Sequence, residues 1–406
     1  MKRSFALIPA LALAAACSEQ VTTPATPVDV APPAASASGR YIVVLKEKDG
    51  MSPSFAKAAV GEVTEKTGVR ADRVFTNVLS GFSAQLSEAQ VAELRADPTV
   101  AYVEPDAEVH LFTTQTTNLP WGLDRIDQRN LPLSLAFTYT NAGSGVNVYI
   151  LDTGIRLTHL NVAGRANYVP NGVNGDFVND GRGNASDCNG HGSHVAGTAA
   201  GTYSGIAKAA TIWAARVVNC SGGGNASMVI AAMDWVAANG RKPGVVNMSL
   251  GYGNVQSVAD AATRLVAAGF VVAVAAGNGN AAGTPIDACT EAPAKAPNVL
   301  TVGATSNTDA EASFSNYGTC VDLLAPGVNI VSSSYTSDNG LATLSGTSMA
   351  SPHVAGVAAV YLGMNPTATP ATVMTALKNN TTNNVIARHS RSVSGGTPNK
   401  LLFFNY

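Results

Sequence analysis

The sequence predicts an α/β fold, a doubly wound and mostly parallel sheet, preceded by a small α+β module with a ferredoxin-like order of elements. Two observations predict it. In the larger part of the chain, short apolar segments of strand length alternate with helical segments rich in small residues, which is typical of a parallel sheet covered by helices on both faces. In residues 40–112, the strand and helix patterns follow one another in the order βαββαβ.

The N-terminal module is built from short apolar strands and two helices. Ser80-Gly81 marks the turn between its two middle strands. The predicted elements, in chain order, are a strand at 41–47, a helix at Pro53–Lys66, two strands within 74–86, a helix at Glu88–Ala96 and a strand at 100–106.

The larger unit alternates strands with helices. Its apolar runs have the length and composition of buried parallel strands. The predicted strands are 146–151, 211–218, 244–249, 270–275 and 299–304, and the predicted helices include 191–201, 225–239, 255–268 and Met349–Leu362. The polar residues considered below fall at the carboxyl ends of these strands or on the loops that follow, where α/β proteins bind ligands.

A serine at the start of a small-residue helix is the first candidate for catalysis. Ser348 follows a Gly-Thr turn and precedes the helix predicted at Met349–Leu362, with Pro352 in the first turn, where a missing N–H costs little. Its hydroxyl would lie beside backbone N–H groups without intrahelical partners, at the positive end of the helix dipole. Such a position suits stabilisation of an oxyanion, although an ordinary helix cap has the same pattern.

Two further polar residues occupy comparable positions. Asp152 ends an apolar strand, and His191 opens another small-residue helix. The order acid, histidine, serine differs from the His, Asp, Ser order of chymotrypsin and from the Ser, acid, His order of the α/β-hydrolases. Position 350 is Ala, so no G-x-S-x-G motif surrounds Ser348.

This order, with the segments LDTG at 151–154, NGHGSHVAG at 189–197 and GTSMASPHVAG at 346–356, resembles the subtilisin-like serine proteases, in particular the proteinase K and aqualysin branch. The resemblance implies that Ser348 is the nucleophile. His191 would take its proton and later deliver it to the leaving amine, and Asp152 would orient the imidazole and stabilise the imidazolium.

The resemblance also implies an oxyanion donor and a substrate cleft. Asn278, after an apolar strand, would donate its side-chain amide beside the Ser348 N–H. Residues 222–224 would form the edge that pairs with an extended substrate. The implied cleft residues are Gly222, Gly223, Gly224, Ser249, Leu250, Gly251, Ala275, Ala276 and Gly277. These walls carry no acidic side chain, which argues against selectivity for Arg or Lys and favours broad, apolar or aromatic specificity. Ala226 replaces an aromatic residue often found in this loop, which predicts a more open outer subsite.

The N-terminal module is similar to the inhibitory prodomain that precedes subtilisin-like catalytic domains. We therefore expect a prodomain at 40–113, with a tail at His110–Thr113 that lies in the cleft, and a catalytic domain at 114–406. The precursor is expected to cleave itself near Thr113–Thr114. An independent interaction domain is the alternative interpretation of the module.

The N-terminus predicts export. Residues 1–16 have the charged start and apolar run of a secretory signal, and residues 17–39, rich in Pro, Ala, Thr and Ser, are expected to be a disordered spacer. The segment before Cys17 fits ordinary cleavage after small residues and also resembles a bacterial lipobox. Either the protein is secreted outright, or a lipid on Cys17 anchors the precursor to a membrane.

Composition excludes several other classes. The 406 residues carry a net charge of −2 and are 13% charged, so no basic surface indicates a nucleic-acid partner. Beyond the N-terminus no apolar run approaches the ~20 residues of a membrane span. We expect a monomer that acts on protein and peptide substrates.

Four cysteines follow Cys17, namely Cys188, Cys220, Cys289 and Cys320. In an exported protein they suggest two disulfide bonds, and the sequence alone permits three pairings. The resemblance to the aqualysin branch implies the pairs Cys188–Cys220 and Cys289–Cys320.

Calcium is the cofactor that the resemblance implies, in a structural role. One site would use the carbonyl groups of Pro297 and Val299 and the carboxylate of Asp322. Part of a second would be formed by Asp124, Asp127 and Gln128, with Ala136 where that site would have a side-chain oxygen. Hard oxygen ligands of this kind suit Ca²⁺.

Three functions remain to be distinguished. A secreted serine endopeptidase made as an inactive precursor is the leading hypothesis. A secreted binding or inhibitory protein with a protease fold would normally have lost one of Asp152, His191, Asn278 and Ser348, and all four are present. A serine esterase of another class is disfavoured by the order of the three catalytic candidates. Zinc catalysis is disfavoured because no H-E-x-x-H motif accompanies the His191–His194 spacing.

Overall fold

The computed structural model describes residues 39–46, 52–106 and 113–406. The predicted signal peptide at 1–16, Cys17 and nearly all of the predicted spacer lie outside these ranges, as does most of the predicted prodomain tail. The chain divides into two compact units, Met1–His110 and Leu111–Tyr406, which are described separately.

The N-terminal unit has the predicted βαββαβ order. Its four strands form an antiparallel sheet in the order β2-β3-β1-β4, with Val43, Phe82 and Leu94 in a core of their own. The elements are β1 (Arg40–Leu45), α1 (Pro53–Thr67), β2 (Arg73–Phe75), β3 (Gly81–Gln85), α2 (Glu88–Ala96) and β4 (Val100–Pro105). The prediction of a small α+β module is confirmed.

The strands of the second unit form a nine-stranded sheet, in the order β16-β17-β13-β12-β11-β10-β7-β9-β8, and two small antiparallel pairs, β5-β6 and β14-β15. The large sheet is parallel except at β16. The strands are β5 (Thr113–Gln115), β6 (Phe137–Tyr139), β7 (Asn147–Asp152), β8 (Ala166–Tyr168), β9 (Thr211–Arg216), β10 (Gly244–Met248), β11 (Val271–Ala275), β12 (Leu300–Thr305), β13 (Leu323–Pro326), β14 (Ile330–Ser333), β15 (Leu341–Leu344), β16 (Thr382–Asn383) and β17 (Lys400–Leu401).

Helices cover both faces of this sheet. They are α3 (Trp121–Ile126), α4 (His191–Ala200), α5 (Ala226–Asn239), α6 (Gln256–Ala267), α7 (Thr347–Met364), α8 (Pro370–Asn379) and α9 (Ser390–Ser394), with a short 3₁₀ turn at Ala288–Thr290. Within the described ranges, none of the helices has the length and apolar character that crossing a membrane requires.

Alternate residues of β7 show why the sheet is doubly wound. Val148 and Ile150 pack in a core with α4 and α7, whereas Tyr149 and Leu151 pack in a second core with α5 and α6. Successive side chains of a strand point to opposite faces, and all six residues of β7 are buried. The predicted doubly wound, mostly parallel sheet is therefore confirmed.

A buried ion pair joins α3 to Asp309, on the loop that follows β12. The side chain of Arg125 is fully buried, its Nε lies 2.6 Å from Asp309 Oδ1, and its Nη2 lies 2.9 Å from Asp309 Oδ2. Arg125 Nη1 also donates to the carbonyl of Gln128 at 2.7 Å. The two-pronged geometry satisfies a charge that could not be buried alone.

Replacing Asp309 by Asn tests this ion pair. Asp309→Asn preserves the side-chain shape, and Asn tolerates the φ of 58° at this position, but the guanidinium of Arg125 loses its anionic partner. The expected loss in the free energy of unfolding is about 3–5 kcal/mol, measured by urea unfolding. Asp260→Asn, which removes an exposed carboxylate on α6, should change stability by less than about 0.5 kcal/mol. Equal effects of the two substitutions would contradict the assignment.

Candidate active site

Asp152 and His191 form a hydrogen-bonded pair at the carboxyl edge of the sheet. Asp152 is the last residue of β7, and its buried Oδ1 lies 2.7 Å from His191 Nδ1, at the first residue of α4. The same oxygen accepts the backbone N–H of Thr153 at 2.7 Å. The contact fixes the orientation of the imidazole and directs Nδ1 towards the carboxylate, which leaves Nε2 for other chemistry.

A second buried carboxylate, Asp187, holds the start of α4 in place. Its Oδ1 accepts from the backbone N–H groups of Asn189 and Gly190 and from the Thr153 hydroxyl, and its Oδ2 accepts from the Ser193 N–H at 2.9 Å. The first N–H groups of a helix have no partner within the helix, and the carboxylate of Asp187 supplies one for the Ser193 N–H and for the N–H groups of the loop just before it. The sequence analysis missed Asp187. The signal that could have found it is that Asp is preferred near helix starts, where it accepts backbone N–H groups, and Asp187 lies four positions before α4.

The two carboxylates act on the charge of His191. Burial disfavours its charged form, but the charge and hydrogen bond of Asp152, aided by the charge of Asp187, outweigh burial and raise the pKa of His191 above its ordinary value. A raised pKa means that the neutral imidazole accepts a proton more readily than an unperturbed histidine does.

Ser348 is the second residue of α7, close to Ser249. Its hydroxyl donates to the Ser249 carbonyl at 3.2 Å, and the Ser249 hydroxyl donates to the Ser348 carbonyl at 2.8 Å. Among the described residues Ser348 makes no hydrogen bond to His191. Contacts between a catalytic serine and its base are often long before substrate binds. In this structure the Asp152–His191 pair is formed, and the Ser348 hydroxyl points to the Ser249 carbonyl instead of His191.

Asn278 has a fixed amide orientation. Its Oδ1 accepts from the N–H and the hydroxyl of Thr347, at 2.8 and 2.9 Å. The amide NH₂ group therefore points away from Thr347. A Cβ built on Gly346 would lie 3.3 Å from Asn278 Nδ2 and 3.5 Å from the Ser348 nitrogen, so both donors border the same small space.

Asn316 supports the loop that carries Asn278. It is almost fully buried; its Oδ1 accepts from the N–H groups of Gly279 and Ile286, and its Nδ2 donates to the Ala276 carbonyl, all at 2.9 Å. Its backbone N–H donates to the Gly277 carbonyl. The sequence analysis did not single out Asn316, because nothing in its local pattern indicates these long-range contacts.

A cleft of about 410 Å³ opens beside the Asp152–His191 pair. It brings together the predicted residues Gly222, Gly223, Gly224, Ser249, Leu250 and Gly251, and adds Thr153, Asn189, Val218 and Tyr252. Ala275, Ala276 and Gly277 lie outside this lining, at the end of β11 and on the adjoining loop, where the Gly277 N–H donates to the Thr347 hydroxyl. Tyr252 was not foreseen. Its hydroxyl is buried, 3.6 Å from where a Cβ on Gly224 would lie, and the more open outer subsite expected from Ala226 stays a prediction.

An acidic side chain from another segment lies next to the predicted pocket walls. A Cβ built on Gly251 would lie 3.4 Å from Glu291 Oε2, and one built on Gly277 would lie 3.8 Å from Glu291 Cγ. The wall residues themselves carry no acidic side chain, as predicted, but the prediction did not consider Glu291.

Comparison with known proteins identifies the family. A model described as the subtilase family matches residues 143–396, more than half of the chain. The chain belongs to the subtilase family. A model described as peptidase inhibitor I9 matches residues 40–112, so the N-terminal unit of this subtilase is an inhibitor-type prodomain.

Similar proteins show the class of enzyme. This subtilase is 46% identical over 381 residues to an extracellular serine proteinase of Thermus sp. (strain Rt41A), covering 90% of this chain and 89% of the relative. It is 38% identical over 373 residues to proteinase R of Parengyodontium album, covering 90% and 89%. The solved structure of a cold-adapted subtilisin-like serine proteinase matches 71% of this chain and 100% of its own, with 45% identity and a TM-score of 0.65. The chain is a subtilisin-like serine proteinase.

Two disulfide bonds hold loops near the site. Cys188 pairs with Cys220 and Cys289 pairs with Cys320, which are the pairings that the resemblance implied. Next to the first, the Asn189 side chain donates to the Cys220 carbonyl at 3.1 Å. The loop before His191 is thereby joined to the loop that continues into Gly222–Gly224.

The first implied calcium site does not fit the residues in the subtilase structure. Asp322 Oδ2 accepts the Thr301 N–H at 3.0 Å, and Asp322 Oδ1 forms an ion pair with Lys378 Nζ at 2.9 Å. Both carboxylate oxygens of Asp322 therefore already have partners, and the ammonium group of Lys378 would have to move away before Asp322 could bind Ca²⁺. Within the described ranges, no group of three or more His, Cys, Asp or Glu side chains is arranged to hold a metal ion.

The second implied calcium site fits better. Asp124 uses both carboxylate oxygens to accept from Ser134 and Leu135, and Gln128 Oε1 accepts the Ser134 N–H at 2.9 Å. Asp127 Oδ2 accepts one N–H, that of Thr138, but its buried Oδ1 has no partner. Burial, with Asp124 nearby, raises the pKa of Asp127 to about 6 despite that hydrogen bond. A partnerless buried oxygen beside a second carboxylate is suited to a hard cation.

Histidine titration tests the electrostatics of the site. His191 should titrate above its ordinary pKa, whereas His194 and His353, whose pKa burial lowers to about 4, should stay neutral in weak acid. Asp187→Asn should lower the His191 pKa, because it removes a nearby negative charge. The measurement is NMR of the ring nitrogens in a Ser348→Ala background, and Asp260→Asn is the control. A His191 pKa that Asp187→Asn leaves in place would contradict the role of Asp187.

Proposed function

We propose that this subtilase is a secreted serine endopeptidase with broad specificity, made as a precursor that cleaves itself. The observation that carries the proposal is the Asp152–His191 hydrogen bond beside the Ser348 helix, with two N–H donors bordering one space. A binding protein would have no need for this combination. The relatives named above, which are called proteinases, support the same function.

In the proposed mechanism Ser348 Oγ attacks the scissile carbonyl while His191 Nε2 takes its proton. Asp152 stabilises the imidazolium, and the tetrahedral oxyanion is held by the Ser348 N–H and Asn278 Nδ2. Collapse transfers the proton from His191 to the leaving amine and leaves an acyl-enzyme on Ser348. Water, activated by His191, then hydrolyses the ester and restores the enzyme.

Substrate binding is proposed to use backbone edges rather than deep side-chain contacts. Gly222, Gly223 and Gly224 would add the substrate backbone as an extended strand. The walls at Ser249–Gly251 and Ala275–Gly277 would enclose the side chain before the scissile bond. Leu250 and Val218 make the cleft partly apolar, which favours apolar and aromatic residues.

Calcium is proposed at Asp127, Asp124 and Gln128, and not at Asp322. Bound there, it would neutralise the paired carboxylates and stabilise the loop at 134–138, whose hydroxyl and N–H groups donate hydrogen bonds to them. It takes no part in the chemistry.

Ser348→Ala should abolish maturation and proteolysis together. Without the hydroxyl no acyl-enzyme forms, so the variant should accumulate as full-length precursor in a protease-deficient host, whereas the wild type yields a mature fragment that begins near Thr114. The measurements are mass spectrometry of the fragments, casein hydrolysis and labelling by a serine-directed phosphonate. A mature fragment produced equally by the variant would disprove self-processing.

Asn278→Ala should lower kcat by about 10²–10³-fold with little change in KM, the loss known for the corresponding donor in subtilisin itself. The oxyanion exists only after attack, so its donor acts in the transition state and not in substrate binding. Steady-state kinetics on a peptide amide check this. An equal loss of kcat and rise of KM would indicate a binding role instead.

Chelation should reduce stability before activity. A ligand that binds only the folded state adds about 2.7 kcal/mol at a hundredfold excess over Kd. Phosphonate-inhibited mature enzyme should therefore unfold at a lower temperature in excess chelator, while initial rates of fresh enzyme in the cold stay unchanged. Asp127→Asn should remove the calcium response and Asp322→Asn should keep it. A response lost only in Asp322→Asn would overturn this site assignment.

A further inference from the structure

An acidic side chain lies beside both proposed walls of the pocket that would receive the substrate side chain before the scissile bond. The walls are Ser249–Gly251, which follows β10, and Ala275–Gly277, which comprises the last residue of β11 and the two residues after it. Because β10 and β11 are neighbouring parallel strands, these two backbone edges lie side by side. The side chain that lies against both edges is Glu291.

Two glycines, one on each wall, lie next to the Glu291 side chain. The Cβ direction of Gly251 points at Glu291 Oε2, 3.4 Å away, and the Cβ direction of Gly277 leads to Glu291 Cγ at 3.8 Å. Because neither glycine carries a side chain, no side chain of these two residues separates Glu291 from the proposed pocket. A substrate side chain bound between these walls would extend towards the carboxylate.

The carboxylate has capacity for a further partner. Oε2 accepts the Gly253 N–H at 3.1 Å, which fixes its direction. No ion pair involving Glu291 occurs among the described residues; the nearby Lys295 directs its Nζ to Asn254 instead. A carboxylate presents about four acceptor positions, so its remaining lone pairs are free for a cationic donor.

We infer that Glu291 extends the specificity of this enzyme to peptide bonds that follow lysine or arginine. The aliphatic stem of such a side chain packs between the backbone walls, as an apolar residue does, and its charged end meets the carboxylate. The inference rests on the proposed endopeptidase function and reverses the expectation that basic residues are excluded. Glu291 is thus a specificity-determining residue that takes no part in bond breaking.

The experiment compares two peptide amides that differ only in the residue before the scissile bond, lysine or norleucine. Norleucine keeps the apolar stem without the charge. In the wild type the ratio of kcat/KM for lysine over norleucine should exceed that of Glu291→Gln by about tenfold or more, since hydrogen bonds to charged groups are the stronger kind. Glu291→Gln can still accept the Gly253 N–H, so the wall remains supported. Asp260→Asn, which removes an equal charge from an exposed site, should leave the ratio unchanged.

Benzamidine provides a second readout that does not depend on turnover. This amidinium should inhibit the wild type competitively and inhibit Glu291→Gln about tenfold more weakly. An unchanged lysine to norleucine ratio and unchanged benzamidine inhibition in Glu291→Gln, in enzyme that cleaves both peptides and is labelled at Ser348, would overturn the inference alone. Failure to cleave either peptide or to label Ser348 would overturn the proposed function as well.

Discussion

The buried carboxylate of Asp152 is the constraint on which the rest of the site depends. A charge at the end of a central strand is costly to bury without hydrogen bonds. The Thr153 N–H and the His191 imidazole both bind Asp152 Oδ1, while the buried Oδ2 has no hydrogen-bond partner among the described residues. That requirement places the first residue of α4 directly beside the end of β7. Asp187 makes the placement rigid, because it accepts the N–H groups around the helix start. The same two charges raise the His191 pKa, so structural support and proton affinity have a common cause.

Close packing brings the start of α7 next to the start of α4. A side chain at Gly192 would overlap the Gly154 carbonyl oxygen, and a Cβ at Gly356 would lie 2.6 Å from the Ala199 carbonyl oxygen. The small residues of α4 and α7 therefore let the two helices approach each other and the sheet. Both helices begin at the carboxyl edge of the sheet. Side chains accept the first N–H groups of α4, whereas the Ser348 N–H of α7 borders the space in which the proposed oxyanion would form.

Three carboxylates on loops outside the sheet, those of Asp322, Asp127 and Glu291, differ in the partners they have. Asp322 has an internal ammonium, Lys378, whereas Asp127 retains a buried oxygen without a partner. The first arrangement has its own counter-charge, and the second is open to an external cation. Glu291 is a third case: it accepts the Gly253 N–H and has no ion-pair partner among the described residues, and we infer that its partner is a basic substrate side chain. A carboxylate can therefore stabilise the fold or recognise a ligand, depending on whether its partner is another residue of the protein or a group from outside.

The sequence by itself determined the family, the order of layers and the elements that carry the site. The hydrophobic periodicity of a segment shows which face of a strand or helix is buried. The turns that carry Asp152, His191 and Ser348 are formed mainly by neighbouring residues in the sequence, so their short segments were recognisable. The roles of these three residues and of Asn278 stay predictions. Only the tertiary structure decided that Glu291 lies between Gly251 and Gly277, that Lys378 pairs with Asp322, and that Asp187 and Asn316 support the site loops. These contacts join segments far apart in sequence through irregular loops, and no local pattern encodes where such loops meet. The expectation that basic residues are excluded considered only the wall residues of the pocket, and it could not include Glu291, which a separate loop brings beside those walls.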